Sequence, residues 1–162
     1  MRVIQALYKY ALPSTDGVRV SCGELLRDAN GLVLVSFPFA FTETSEQALA
    51  WFRDQYSQFA EKNCSVVGLS VENVFTLKAL REKLHLPYHL HSDANREVSR
   101  SLGILLPEVA GVRDVTDSSV LFVDRLRHIR RWTYGGGASD FERIQRELVK
   151  SLVPFPSHLG YY

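Results

Sequence analysis

The spacing of apolar residues along the chain predicts alternating strands and helices. Two short, nearly unbroken apolar runs at residues 32–37 and 66–70 are typical of strands buried on both faces of a sheet. Between them, from residue 44 to about residue 63, apolar side chains recur every three or four positions, which predicts an amphipathic helix. A strand, a helix and a second strand in this order form a right-handed crossover if the two strands are parallel.

The same pattern continues on both sides of this unit. A turn-rich segment at residues 13–17 ends a first strand at Leu12, and residues 104–117 lack a clear period, which predicts a surface loop. The next predicted elements are a helix at 75–84, a strand at 88–90 and a helix that begins at a cap among Ser92, Asp93 and Ala94 and ends at Gly103. Strands at 119–123 and 128–133 follow. A capping box at Ser139 and Glu142 begins the last helix.

These elements predict one α/β domain over residues 1–152, with a mixed, mostly parallel sheet and helices on both faces. Residues 153–162 contain two prolines and no period, so we expect a loose C-terminal tail. A length of 162 residues is sufficient for a full hydrophobic core without disulfide or metal crosslinks.

Composition narrows the classes of function. The chain has 19 Lys and Arg against 18 Asp and Glu, and a net charge of +1 gives no electrostatic reason to expect nucleic-acid or anionic-membrane binding. No run approaches the 18 apolar residues of a membrane span, and the first ten residues are too short for a signal peptide. We therefore expect a cytoplasmic protein without a membrane span, in a reducing compartment.

Five segments begin at Ala11, Phe37, Val67, Ser92 and Val120. They follow one another in the order and spacing of peroxiredoxins. The chain from about residue 7 to 152 resembles the alkyl hydroperoxide reductase/thiol-specific antioxidant (AhpC/TSA) branch of that family. The resemblance implies a thioredoxin-like fold in which a Pro-x-x-x-Thr-x-x-Cys loop begins a helix. The helix dipole and free amides stabilise a thiolate there, which makes it reactive toward peroxide.

The loop motif matches the family at two positions and departs from it at two others. Pro38 and Thr42 match, but Ser45 stands at the position of the peroxidatic cysteine. Ala48 stands where the family usually has a glutamate. A serine hydroxyl does not ionise near neutral pH and cannot form a sulfenic acid. From the motif we predict that Ser45 lies in the first turn of a helix and that its hydroxyl meets a backbone amide.

The family's activating arginine is also replaced. It stands six residues before the terminal Asp of a strand, and that position is Ser118, counted back from Asp124. The resemblance implies that Ser118 lies near Ser45 across the pocket. Arg113, in the predicted loop, is a candidate substitute guanidinium. Substitution of Ser45 alone would fit an engineered inactive variant, whereas the combined loss of cysteine, glutamate and arginine favours a naturally non-catalytic protein.

The other candidate residues have structural interpretations that we prefer. Cys22 and Cys64 do not match the peroxidatic position and are expected to be buried apolar residues; a disulfide between them would need Cα atoms within about 7 Å. His85, His89 and His91 lie near Asp93 and could suit zinc, but we predict surface polar residues and no metal or cofactor.

A basic hairpin is the remaining candidate for binding. We interpret it as a charged edge that discourages strand pairing between molecules, and we predict no nucleic acid as partner. Its members are Arg125, Arg127, His128, Arg130 and Arg131.

Three functions remain open from the sequence. We favour a peroxiredoxin-like protein without peroxidase activity, retained as a binding or complex-assembly subunit. The alternative is a thiol peroxidase that reduces hydrogen peroxide and alkyl hydroperoxides, whose cysteine was replaced by Ser45; only this alternative implies a thioredoxin-like reductant. A sensor that uses the pocket or the histidines is the third. The resemblance also implies a homodimer, or a place in a larger complex.

Overall fold

A five-stranded sheet with helices on both faces forms the centre of the fold. The computed structural model describes residues 3–152. The helices are α1 (Val3–Lys9), α2 (Cys22–Arg27), α3 (Glu43–Asp54), α4 (Tyr56–Glu61), α5 (Val74–Leu84), α6 (Glu97–Ser101) and α7 (Ala138–Ser151). The strands are β1 (Ala11–Pro13), β2 (Arg19–Ser21), β3 (Gly31–Ser36), β4 (Cys64–Ser70), β5 (Leu90–Ser92), β6 (Leu105–Val109), β7 (Val112–Thr116), β8 (Ser119–Asp124) and β9 (Ile129–Thr133).

The strand order of the central sheet is β5-β4-β3-β8-β9. Strands β3, β4 and β5 are parallel, whereas β8 is antiparallel to both of its neighbours, β3 and β9. Four of the five strands therefore run in one direction, and the predicted mixed, mostly parallel sheet is confirmed. Strands β1–β2 and β6–β7 form two further antiparallel pairs.

Alternation along β3 separates two apolar cores. Val33 and Val35 face a cluster that includes buried residues of α3, α4, α5 and α7. Leu32 and Leu34 face a second cluster, to which α1, α2 and α6 contribute. Because every residue of β3 is buried, the strand reads as a continuous apolar run, which is typical of a central strand.

Two predicted elements differ in the structure. The helix expected from residue 44 to 63 is broken at Gln55, where φ is −101° and ψ is 5°. The apolar spacing continues through Phe52 and Phe59 on either side, so it did not reveal the break. The loop predicted at 104–117 is wrong, because β6 and β7 form a hairpin there. Strands β6 and β7 pair with each other, and most of their residues are exposed. Their sequences therefore need not alternate between apolar and polar residues, and the period that marks a strand is missing.

Helix ends also differ from the prediction. The capping box at Ser139 and Glu142 is wrong: α7 begins at Ala138, after Gly137, and has no side-chain cap. The structure instead has a capping box at the start of α2, where Ser21 and Glu24 bond each other's backbone amides. Both sites have a Ser followed three residues later by a Glu, but only Ser21 and Glu24 lie at the start of a helix.

The shorter segments are shifted by a few residues. Strand β5 lies at Leu90–Ser92 rather than at 88–90, and α1 precedes the short first strand β1. The N-cap residue of α6 is Arg96 rather than Ser92, Asp93 or Ala94, but the Asp93 carboxylate accepts hydrogen bonds from the backbone amides of Val98 and Ser99, at 3.2 and 2.6 Å. The predicted tail, residues 153–162, lies outside the described residues.

Candidate active site

Ser45 lies in the first turn of α3, at the end of the loop that leaves β3, as predicted. Pro38 is half-buried in that loop, and Thr42 is the N-cap residue of the helix, with extended backbone angles. Ser45 is only 1% exposed. The sequence folds in this way because Pro38 disfavours continuation of the strand and the acidic Glu43 and Glu46 suit the positive end of the helix dipole.

The hydroxyl of Ser45 contacts another hydroxyl and not the expected backbone amide. Its Oγ atom lies 2.8 Å from Oγ1 of Thr42, which also lies 3.1 Å from the carbonyl oxygen of Phe39. Ser45 is one helical turn beyond Thr42, so the two short side chains meet directly. The predicted amide partner is therefore wrong, because the side chain of the cap residue occupies that place.

The loop before Thr42 is held by a carboxylate that sequence reasoning missed. Glu72, which follows β4, accepts a 3.0 Å hydrogen bond from the backbone amide of Ala40. The next residue, Phe41, has a φ of 66° and is half exposed, with the Lys83 ammonium 5.6 Å from its ring centroid. No spacing in the sequence marks Glu72, because its partner lies 32 residues away.

Ser118 lies at the same end of the sheet as this loop. It precedes β8, whose first residue, Ser119, is paired with Ser36 at the end of β3. Ser118 alternates with Val120 and Phe122, which share a core with Ala48 of α3, so Ser118 is on the face that α3 covers. The structure thus places Ser118 and Ser45 at one end and on one face of the sheet, with no hydrogen bond between these two described residues.

Ser118 is bound to a buried tyrosine. The backbone amide of Tyr134 donates a 3.1 Å hydrogen bond to the carbonyl oxygen of Ser118, and the Tyr134 hydroxyl donates a 2.6 Å bond to the carbonyl oxygen of Ser36. Burial raises the pKa of Tyr134, so its hydroxyl stays protonated at neutral pH. Ala48 is fully buried in the same core. The positions that the family resemblance assigns to an arginine and a glutamate are therefore both uncharged.

Within residues 3–152, neither Arg113 nor Arg131 forms a hydrogen bond with Ser45, whose hydroxyl contacts Thr42. Arg113 is exposed on β7 and faces Glu108 of β6 in the hairpin, so its predicted position in an irregular loop is wrong. Arg131 of β9, which sequence reasoning did not single out for this role, forms an ion pair with Asp117 and donates to Oγ of Ser119. It is paired with Leu121, which belongs to the second core, and so lies on the sheet face away from α3.

Both cysteines of the chain are buried. Cys22 is 1% exposed, and burial together with the negative charge of Asp93 raises the pKa of its thiol to about 12. Cys64 is 5% exposed, and burial raises the pKa of its thiol to about 12. Cys22 belongs to the second core and Cys64 to the first, on opposite sheet faces, and both thiols are free. The expectation of buried apolar cysteines is confirmed.

The three histidines have separate surroundings. His85 is exposed at the end of α5. His89 is half-buried with Nδ1 2.9 Å from Oγ1 of Thr15, whereas His91 is buried with Nδ1 3.8 Å from Sγ of Cys22. The expected surface position is therefore wrong for His91, because β5 brings it into a bridge with Ser14, just after β1, and against Cys22. Within residues 3–152, no group of three or more His, Cys, Asp or Glu side chains is placed to hold a metal ion.

The hairpin of basic residues lies at the sheet edge formed by β9. Its side chains make contacts within the chain: Arg130 contacts Glu147 and the Trp132 ring, and His128 contacts Asp124. Across the part of the chain that the structure describes, no helix is both long enough and apolar enough to cross a membrane.

Comparison with known proteins defines the class to which this fold and loop belong. The sequence pattern of the AhpC/TSA family matches residues 3–132, most of the chain. The chain therefore belongs to the AhpC/TSA family, the peroxiredoxins.

Relatives by sequence carry peroxiredoxin names. The chain is 32% identical to peroxiredoxin bcp1 of Schizosaccharomyces pombe over 96 residues, 59% of this chain and 49% of that protein. It is 25% identical to alkyl hydroperoxide reductase C of Buchnera aphidicola over 143 residues, 78% of this chain and 70% of that protein. The chain spans about half the length of the S. pombe protein.

Solved structures share the fold. A Cys-to-Ser mutant of Xylella fastidiosa PrxQ has a TM-score of 0.78 at 17% identity, over 90% of this chain and 92% of that one. Peroxidoxin BcpB from Mycobacterium tuberculosis has a TM-score of 0.73 at 24% identity, over 83% of this chain and 87% of that one. At these identities the likeness concerns the fold alone, and it confirms the predicted thioredoxin-like, peroxiredoxin architecture.

Proposed function

We propose that this chain is a peroxiredoxin-family protein that does not reduce peroxides and serves as a binding or complex-assembly subunit. One observation carries the proposal: a buried serine, bonded to Thr42, stands where the family resemblance puts the reactive thiol. The chain contains two thiols, those of Cys22 and Cys64, and both are buried with a raised pKa.

The chemistry of Ser45 supports this proposal. Peroxide reduction by this family requires a thiolate that attacks one peroxide oxygen and becomes a sulfenic acid. A serine hydroxyl is not ionised at neutral pH and has no oxidation state equivalent to a sulfenic acid. Ser45 at the head of α3 therefore retains the position of the nucleophile without its reactivity.

The electrostatics of the pocket support it independently. Ser118 and the buried Ala48 both have uncharged side chains, so neither position supplies the charge that would activate a thiolate or orient a peroxide. Arg131, the guanidinium paired with Asp117, faces away from α3. An engineered substitution at Ser45 would not account for Ser118 and Ala48.

Assays of peroxide consumption test the proposal. The chain, incubated with hydrogen peroxide or cumene hydroperoxide and with thioredoxin, glutathione or dithiothreitol as donor, should consume peroxide no faster than the buffer. The matched control is the double variant Cys22→Ala/Cys64→Ala, which should behave identically. Turnover that disappears in this variant would overturn the proposal, because it would show that another thiol had taken over the chemistry.

The assembly role has a separate test. We propose a homodimer or a place in a larger complex in the cytoplasm, formed through the β9 edge or through the loops around Ser45. Light scattering over a range of concentrations should give a mass above that of one chain. A single-chain mass at all concentrations would count against the homodimer and leave a heteromeric complex, which purification from the native source would detect.

The alternative is a thiol peroxidase whose cysteine was replaced by Ser45. Retention of Pro38, Thr42 and the helix start at Ser45 favours it, because these features would place a thiol at the positive end of α3. The codon for residue 45 in the source gene decides between the two: a cysteine codon supports the peroxidase, and a serine codon supports the non-catalytic protein.

A further inference from the structure

A cavity lined by three arginines lies at the end of the sheet remote from Ser45. It has a volume of about 260 Å³ and opens between α1, α2 and the turn that follows β8. The pairing of Gly31 with Asp124 places this turn at the start of β3, whereas Ser36 and Ser119 mark the end that leads to Ser45. The lining residues are Tyr8, Leu26, Arg27, Ala29, Arg125 and Arg127.

Contacts within the chain position two of these arginines. The Arg127 guanidinium lies 5.2 Å from the ring centroid of Tyr8, a cation–π contact that holds its position. Arg125 donates a 3.1 Å hydrogen bond to Oδ1 of Asn30. Arg27 ends α2 and is exposed at the rim. Side chains held in this way lose less freedom when a ligand binds.

The charge of the lining selects an anion. Three guanidinium groups line the cavity, and among the lining residues within the described range, 3–152, there is no carboxylate. Like charges repel, so an anion between them both gains their attraction and relieves their mutual repulsion. We propose that this cavity binds a phosphomonoester, because a doubly charged group with three oxygens matches several guanidinium forks better than a single carboxylate does.

The surrounding residues favour a terminal phosphate over the backbone of a nucleic acid. Arg130 and Arg131 of the same hairpin are bound to Glu147 and Asp117, and His128 is bound to Asp124. The hairpin therefore does not present the continuous basic stripe that a polynucleotide backbone needs. A small cavity with converging charges suits one phosphate group, which a small metabolite or a phosphorylated side chain could carry.

Titration of the full chain with defined probes tests the proposal. Inorganic phosphate, AMP and O-phosphoserine are each added in low-salt buffer, and binding is measured by calorimetry and by backbone amide shifts. All three should bind saturably, with shifts at Tyr8, Arg27 and Arg127, and added sodium chloride should weaken the binding. Tighter binding of AMP than of inorganic phosphate would indicate that the ligand is a metabolite. Tighter binding of O-phosphoserine than of AMP would indicate a phosphorylated protein.

Matched variants distinguish binding in the cavity from nonspecific attraction to the protein's positive charges. Arg27→Gln and Arg127→Gln should each weaken phosphate binding about tenfold or more, as expected for loss of one charge-assisted contact. Arg143→Gln, which removes an exposed arginine of α7, and Ser45→Ala should change it less than twofold. No saturation by any probe up to 10 mM, equal weakening by Arg143→Gln, or equally tight binding of an oligonucleotide that lacks a terminal phosphate would each overturn the assignment.

Discussion

The hydroxyl oxygens of Thr42 and Ser45 lie 2.8 Å apart, and this contact joins the cap of α3 to its first turn. Thr42 also lies 3.1 Å from the carbonyl oxygen of Phe39, which can only accept a hydrogen bond. Because a threonine hydroxyl holds one hydrogen, both bonds form together when Thr42 donates to Phe39 and Ser45 donates to Thr42. A thiolate at position 45 would require Thr42 to donate to it instead.

This contact should contribute measurably to stability. Ser45→Ala and Thr42→Val should each destabilise the protein by about 1 kcal/mol, the usual net value of one hydrogen bond. The double variant should lose less stability than the sum of the two single losses, with a coupling free energy of about 0.5–1.5 kcal/mol. Urea unfolding of the four proteins measures the cycle. Thr44→Val is the control partner for Ser45→Ala, and their effects should add; an uncoupled Thr42–Ser45 pair would contradict the observed contact.

The two cysteines should resist modification in the folded protein. With a thiol pKa of about 12, roughly one molecule in ten thousand is a thiolate at pH 8, and burial blocks access as well. Ellman's reagent should therefore report no fast-reacting thiol in the native chain and two in denaturant. One native thiol that reacts within minutes would show that Cys22 or Cys64 is more accessible than its burial indicates; Cys22→Ala and Cys64→Ala identify which.

The sequence was most informative where a short motif coincided with a helix start. Pro38, Thr42 and Ser45 could be placed because apolar runs located β3 and α3 on either side of them. The hairpin of β6 and β7 could not, since its pairing is internal and its side chains are largely exposed. The role of Glu72 and the pairing of Arg131 with Asp117 could not be predicted, because these contacts join residues that are well separated in the chain and no local pattern marks them.

His91 should make the fold less stable in acid. Burial lowers its pKa from 6.5 to about 4, and the charge of Asp16 only partly opposes this. Between these two values the unfolded chain binds a proton that the folded protein excludes, so stability falls as the pH falls from about 6.5 to about 4 and then levels off. The difference in pKa corresponds to about 3 kcal/mol.

Substitution isolates that effect from other titrating groups. In His91→Gln the loss of stability between pH 7 and pH 4 should be smaller than in the parent by roughly that amount. His85→Asn, which replaces an exposed histidine in a left-handed conformation that Asn tolerates, is the matched control for the loss of an imidazole. Urea unfolding at several pH values measures both variants, and parallel curves for the parent and His91→Gln would contradict a neutral, buried His91.

Restoration of the nucleophile should reveal how much of the pocket has been lost. Ser45→Cys places a thiol at the positive end of α3, but Ser118 and Ala48 stand where the family resemblance assigns an arginine and a glutamate, so neither position supplies a charge. A strong donor at the reacting atoms is typically worth about 10²–10³ in rate, by analogy with oxyanion-hole groups. Stopped-flow oxidation of Ser45→Cys by hydrogen peroxide should therefore be slower by at least that factor than in an ordinary peroxiredoxin.

Adding the two charges should restore rate and stability together. Ala48 is fully buried, so Ala48→Glu alone places an unpaired carboxylate in the core and should destabilise the protein by several kcal/mol. Ser118→Arg on the same face can pair with that carboxylate, and part of the loss should be recovered in the double variant. The triple variant with Ser45→Cys should then react faster than the separate changes predict, because groups that act as a unit are not additive.

If the triple variant does not fold, Ser45→Cys/Ser118→Arg still tests the arginine alone. Full peroxidase speed from Ser45→Cys by itself would instead show that the pocket needs neither charge, and it would make the thiol peroxidase the better account of this chain.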